Sequence, residues 1–174
     1  FYVLAASKRQ SEFSTEAGLK YFLLGAFSSG ILLFGSSMIY GFTGSTNFGH
    51  LSQLFTGFGA EYAHSMTASN GMIVGVLFLA VGFLFKLSAA PFHMWSPDVY
   101  EGAPTAVTAF FSLVPKVAFF AVFLRFFVVS LHDLLLPWQP IILICSFLSM
   151  MIGSLAALSQ NKIKRVLAFS SVGH

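Results

Sequence analysis

Charge is scarce in this sequence. Asp, Glu, Lys and Arg together supply 9% of its 174 residues, against roughly a quarter in a soluble domain. That rules out a water-facing globular domain. Net charge is only +3, and no basic stripe marks a nucleic-acid surface. Cysteine is nearly absent. The lone Cys145 can form no internal disulfide and has no companion for a thiolate metal site. It lies in an apolar run and reads as a helix-packing residue. No repeat of 20–50 residues is visible.

Apolar surface is what the chain has instead. Apolar types make up 56% and mean hydropathy is +0.82. This composition describes an all-α polytopic membrane protein, with residues 1–174 as one transmembrane domain. Hydropathy marks helical segments at about 1–6, 17–42, 70–95, 105–131 and 138–158, with a sixth from 163 onward. The sequence starts at Phe1 without an initiator methionine, and FYVLAA and VLAFSSVGH read as pieces of helices. The expectation is a partial chain. The long polar connection 43–69, with His50, Glu61 and His64, is expected on the surface. If the helices alternate, connections 7–16, 96–104 and 159–162 share one side, and they carry Lys8, Arg9 and Lys162. The other side has no Lys or Arg. The positive-inside rule assigns the basic side to the cytoplasm or the mitochondrial matrix.

Three lysines stand inside apolar runs: Lys20, Lys86 and Lys116. A cation near the bilayer centre costs roughly 3 kcal/mol or more, and such residues mark ion or proton paths. Lys20 lies near a helix end, where its stem could instead snorkel to the interface. Lys116 falls about 17 Å past Thr105 along a helix, close to mid-membrane. Lys86 precedes Pro91, which lacks an N–H and clashes with the carbonyl four residues back, so the helix breaks near Leu87. In lipid, the freed backbone groups must find protein or water partners. Residues 88–92 are therefore expected to lack continuous helical bonding. Pro115 likewise frees a carbonyl near Phe111, beside Lys116.

Burial and a neighbouring cation can bring an amine's protonation within reach of neutral pH, whereas arginine stays charged. Lysine at these positions suits a reversible proton carrier. His93, just after the break, could relay protons through either ring nitrogen, or could simply hold the break together. Asp98 and Glu101 are read as structural. All three lysines are expected along one polar axis, with His93 on or beside it.

The segments EAGLKYFLLGAFSSGILLFG, GFLFKLSAAPFHMWSPDVYEGAPTAVTAFFSLVPKVA and ALSQNKIKRVLAFSSVGH resemble the antiporter-like membrane subunits of NADH:quinone oxidoreductase, respiratory complex I. The wording is nearest the subunit 2 (subunit N) family of plant mitochondria, and the resemblance covers nearly the whole chain. It implies an antiporter-like fold with a broken transmembrane helix. The chain would run from the end of helix 5 to the start of helix 10 of a fourteen-helix subunit. It implies that Lys86 is the central lysine before the break and Lys116 the lysine linking two half-channels. Lys20 would pair with a glutamate upstream of Phe1, since Glu12 and Glu16 lie too near the loop.

The implied function is proton translocation coupled to quinone reduction elsewhere in the complex. No redox catalysis and no cofactor or metal are implied in this chain, because flavin, iron–sulfur clusters and quinone belong to other subunits. The implied partners are neighbouring membrane-arm subunits and lipids, in the mitochondrial inner membrane rather than a bacterial plasma membrane. A multisubunit cation/proton antiporter is the alternative. A spacer role in the membrane arm is a further one, against which both lysines are present.

Overall fold

The computed structural model describes residues 1–8, 10–56, 70–131 and 135–174. Among them every regular element is helical: α1 (Tyr2–Ala5), α2 (Glu12–Thr43), α3 (Phe48–Thr56), α4 (Asn70–Leu87), α5 (Trp95–Gly102), α6 (Thr105–Phe123), α7 (Leu135–Leu158) and α8 (Ile163–Gly173). A π-helical stretch, Leu124–Ser130, prolongs α6. Three spans are long and apolar enough to cross a membrane: Glu12–Thr43, Thr105–Ser130 and Trp138–Leu158; Gly71–Leu87 is apolar but shorter. Their outer faces carry exposed Phe27, Leu33, Leu143 and Leu155. Such faces suit lipid or further helices, not water.

Lipid is as apolar as leucine, so helices in a membrane associate through close fit rather than through expulsion of water. Small residues supply that fit here. At the crossing of α2 and α4, a Cβ on Gly35 would stand 2.7 Å from the Leu79 nitrogen and 2.8 Å from the Gly75 carbonyl oxygen. At the crossing of α7 and α8, a Cβ on Gly153 would stand 2.7 Å from the Gly173 backbone. Two aromatic cores complete the packing. One gathers Phe83, Phe123, Phe126, Phe127 and Trp138. The other gathers Tyr21, Trp95, Tyr100 and Phe111, with Tyr21 and Trp95 stacked at 4.8 Å.

Two stretches read as connections are helical. The first part of 43–69 contains α3, whose Leu51 and Phe55 are buried in the first core. Phe48, Leu51 and Phe55 recur at intervals of three and four, which gives a short helix one apolar face. The Ser130 hydroxyl donates to the Phe48 carbonyl at 3.1 Å and ties this helix to the π-helical stretch. His50 is exposed as expected. Glu61, His64 and Arg9 lie outside the described residues.

Connection 96–104 is mostly α5. Pro97 falls in its first turn, where backbone N–H groups need no intrahelical acceptor. Asp98 adds a favourable negative charge at the same end.

Candidate functional site

The break after α4 closes as a Schellman motif. The Ala89 N–H donates to the Leu84 carbonyl at 2.9 Å, and the Ser88 N–H to that of Phe85 at 3.0 Å. Ser88 takes the left-handed conformation, φ 57°, usual for glycine at this position. Its hydroxyl donates to the Leu87 carbonyl at 2.6 Å. That carbonyl is the one Pro91 cannot satisfy. The Trp95 indole N–H reaches the Phe85 carbonyl at 3.1 Å. The Ala90 N–H is taken by the Ser149 hydroxyl of α7 at 2.8 Å. Residues 88–92 thus lack helical bonding, as Pro91 implied, and protein groups satisfy the freed backbone.

Lys86 lies one residue before the end of α4. Its ammonium lies at the negative end of α4, which favours the charge by about 0.3–1 kcal/mol. The half-buried amine donates to the Ser29 hydroxyl of α2 at 3.3 Å, and that hydroxyl in turn donates to the Gly25 carbonyl at 2.7 Å. Lys116 projects from α6 one residue after Pro115. Its amine meets Ser171 of α8, donating to the carbonyl at 2.5 Å and also to the hydroxyl.

Lys86 and Lys116 line the same cavity. It measures about 120 Å³ and is walled by Tyr21, Trp95, Phe111 and Phe119 among others, with room for several waters. Lys116 also lines a second cavity of about 500 Å³, together with Ser146, Ser149, Ser171 and His174. Lys116 is therefore common to both spaces.

Lys20 goes elsewhere. Its amine pairs at 2.7 Å with both Asp98 and Glu16, so Glu16, expected to lie too near the loop, does reach it. Arg165 of α8 bridges Asp98 at 2.7 Å and Glu101 at 2.5 Å, and Lys162 also pairs with Glu101. Glu16, Lys20, Asp98, Glu101 and Arg165 border a separate cavity of about 240 Å³. The three connections expected on one side are thus joined by ion pairs. His93 lines neither lysine cavity; its buried Nδ1 has no hydrogen-bond partner among the described residues and its ring lies against Phe169. The structure brings Lys86 and Lys116 together and leaves Lys20 and His93 apart from that pair.

Asp98 and Glu101 sit on α5, outside the apolar spans. Hydrogen bonding to Lys20 holds the Asp98 carboxyl below its ordinary value, and hydrogen bonding to Lys162 does the same for Glu101. A lowered folded-state value means that the stabilisation is complete above the unfolded pKa of about 4. It disappears as pH falls through the lower folded values. Acidification below about pH 4 should therefore loosen this end first. Hydrogen exchange of α5 amides, measured from pH 6 downward, should rise there before it rises in α4.

Sequence reasoning missed Ser29, Ser149, Ser171 and Tyr100 as partners. A polar residue on a packed face within an apolar run was the available signal, but no spacing rule names its partner. Arg165 and Lys162 were legible only as charges on one side.

A family model described as NADH:quinone oxidoreductase/Mrp antiporter, TM, matches residues 1–174. The chain belongs to this NADH:quinone oxidoreductase/Mrp antiporter family. Over its full length it is 63% identical to the NADH-ubiquinone oxidoreductase chain 2 of Marchantia polymorpha and 58% identical to that of Arabidopsis thaliana, covering 35% and 34% of those proteins. It is 49% identical over 173 residues, 99% of this chain, to the NADH-quinone oxidoreductase subunit N of Pelagibacter ubique, again covering 35%. The chain thus spans about a third of the length of the curated relatives it matches.

Solved structures of the family share the fold. Respiratory complex I from Thermus thermophilus superposes with a TM-score of 0.74 at 36% identity, over 99% of this chain and 34% of the matched one. The Mrp complex of Dietzia superposes with a TM-score of 0.82 at 26% identity, over 99% and 30%. The antiporter-like fold with its broken helix is therefore established for this family member.

Proposed function

We propose that this chain is the proton-carrying part of a membrane-arm subunit of NADH:ubiquinone oxidoreductase. In this reading protons move through Lys86 and Lys116 and are driven by quinone reduction elsewhere in the complex. The observation that carries it is the shared cavity: two lysine side chains line one small space, and Lys116 also lines a larger one. Either amine can hold a proton, and water in the cavity can pass it on. A positive charge on one amine disfavours a second on its neighbour, which makes transfer directional when an external event changes either site. Lys20, held by Asp98 and Glu16, and His93, which lines neither cavity, stand outside this path.

Neighbouring membrane-arm subunits and lipids cover the apolar outer faces. Flavin, iron–sulfur clusters and quinone stay with other subunits. The plant relatives favour the mitochondrial inner membrane. A cation/proton antiporter without a redox partner is a second reading, favoured by the closer superposition on the Mrp complex; it predicts exchange driven by a cation gradient alone.

The test is Lys116→Arg in the intact complex. Arginine keeps the charge and length but does not release its proton. Pumping should fall by on the order of a hundredfold, within the range for loss of a positioned acid–base group, while assembly is retained. Normal pumping would mean that Lys116 serves as a fixed counter-charge.

A further inference from the structure

The backbone freed after α4 is held by bonds of two kinds. The Ser88 and Ala89 N–H groups, the Ser88 hydroxyl and the Trp95 indole all bond carbonyls of residues 84–87, so these ties are local. Among the described residues, the tie from outside comes from α7: the Ser149 hydroxyl accepts the Ala90 N–H at 2.8 Å, 59 positions away in sequence. Ser149 is buried, at 6% exposure. Its own proton goes to the Cys145 carbonyl, one turn back, at 2.7 Å. A serine hydroxyl has one proton to give and two lone pairs. With the proton committed along α7, the oxygen meets the break as an acceptor. Ser149 also lines the larger cavity, which it shares with Leu87 and Ala89 of the break and with Lys116.

We propose that Ser149 is a positioning residue for Lys86 and Lys116, acting through the Ala90 N–H to hold the break in one place. Two links connect it to the lysines. Toward Lys86 the link is the cap: next to the Ala90 N–H, the Ala89 N–H closes on the Leu84 carbonyl, and the turn so closed contains Lys86. Toward Lys116 the link is the cavity wall. Leu87 and Ala89 form part of it, so where α7 holds the break decides how much water stands beside the amine. A break needs such an anchor, because it has lost the helical bonds that hold a continuous helix. A buried N–H released from Ser149 would have to be paired again, by water or by another group.

The inference deepens the proton-carrier reading and rests on it. Besides each other, the titratable groups that face the two lysines are Tyr2 of α1 and Tyr21 of α2 at the smaller cavity and His174, just after α8, at the larger. Cys145 lies one turn from Ser149 on α7 itself. Among the described residues none of these side chains is hydrogen-bonded to Ser149, so replacing the serine leaves their number and charge unchanged.

The experiment uses the intact complex in sealed vesicles and follows protons taken up per NADH oxidised, against pH. Ser149→Ala removes the acceptor. Protons per NADH should fall several-fold and the pH profile should move by about one unit, with subunit content unchanged. Ser149→Thr keeps the hydroxyl, and the cavity can receive its methyl group; it should restore the original yield and profile. Lost packing alone would lower the amount of assembled complex without moving the profile. An assembled Ser149→Ala complex with an unmoved profile overturns the proposal, as does a Ser149→Thr complex that behaves like the alanine variant. If neither variant assembles, hydrogen exchange in the unmodified complex decides: the Ala90 amide should exchange as slowly as the amides of α4, and fast exchange overturns the proposal. If Ser149→Ala is inert while Lys116→Arg abolishes pumping, the proton-carrier reading stands and this inference alone fails. If Lys116→Arg pumps normally, both fall.

Discussion

Replacing Lys86 with alanine should remove most redox-linked proton transfer while the complex still assembles. The side chain is half-buried and, among the described residues, its amine makes a single 3.3 Å hydrogen bond, to Ser29, so its loss strands no ion-pair partner among them. Structural damage should be small. The chemical damage should be large, because Lys86 is the basic residue of the last turn of α4. Loss of a positioned acid–base group reduces rates by about 10²–10⁴-fold. Proton uptake by reconstituted vesicles should fall to background, with subunit content unchanged on a native gel. Normal pumping by this variant would count against any proton role for the lysine.

Gly35→Leu should have the largest effect on the fold itself. At this crossing even a single Cβ would collide with the Leu79 nitrogen and the Gly75 carbonyl oxygen, both backbone atoms of α4. Backbone cannot turn aside as a flexible side chain can. Overpacking typically costs about 1–3 kcal/mol, and here α2 and α4 must separate along their length, which pulls Ser29 away from Lys86. The expected result is loss of assembled subunit. Gly30→Leu, with open space around its Cβ position, should assemble normally. Equal assembly of the two variants would show that the crossing is not close-packed.

Some of this was legible in the residues and some was not. The break was legible because proline acts through its own covalent structure: no N–H at Pro91 and a clash at Leu87 follow whatever the surroundings. Membrane character was legible because composition reports the solvent. The two elements read as connections were missed for different reasons. In α5, Pro97, Asp98 and Gly102 carry turn chemistry, yet proline and aspartate both suit a first helical turn. In α3, the apolar face is only three residues long.

The site was half legible. Each lysine announced itself by the cost of burying its charge. Which lysines share a space depends on how helices distant in sequence pack, and Lys20 was drawn away by Asp98, 78 positions on. The Tyr100 hydroxyl as donor to the Phe111 carbonyl was out of reach, because a freed carbonyl in α6 does not identify the donor that will occupy it.

The central claim is that Lys86 and Lys116 face one hydrated space and exchange protons through it. High-resolution density for the intact complex, good enough to place ordered water, tests it most directly. The account predicts water in the cavity bounded by Tyr21, Trp95, Phe111 and Phe119, hydrogen-bonded in a continuous line between the two amines. A dry cavity, closed by those aromatic rings with the amines turned to separate spaces, would contradict it.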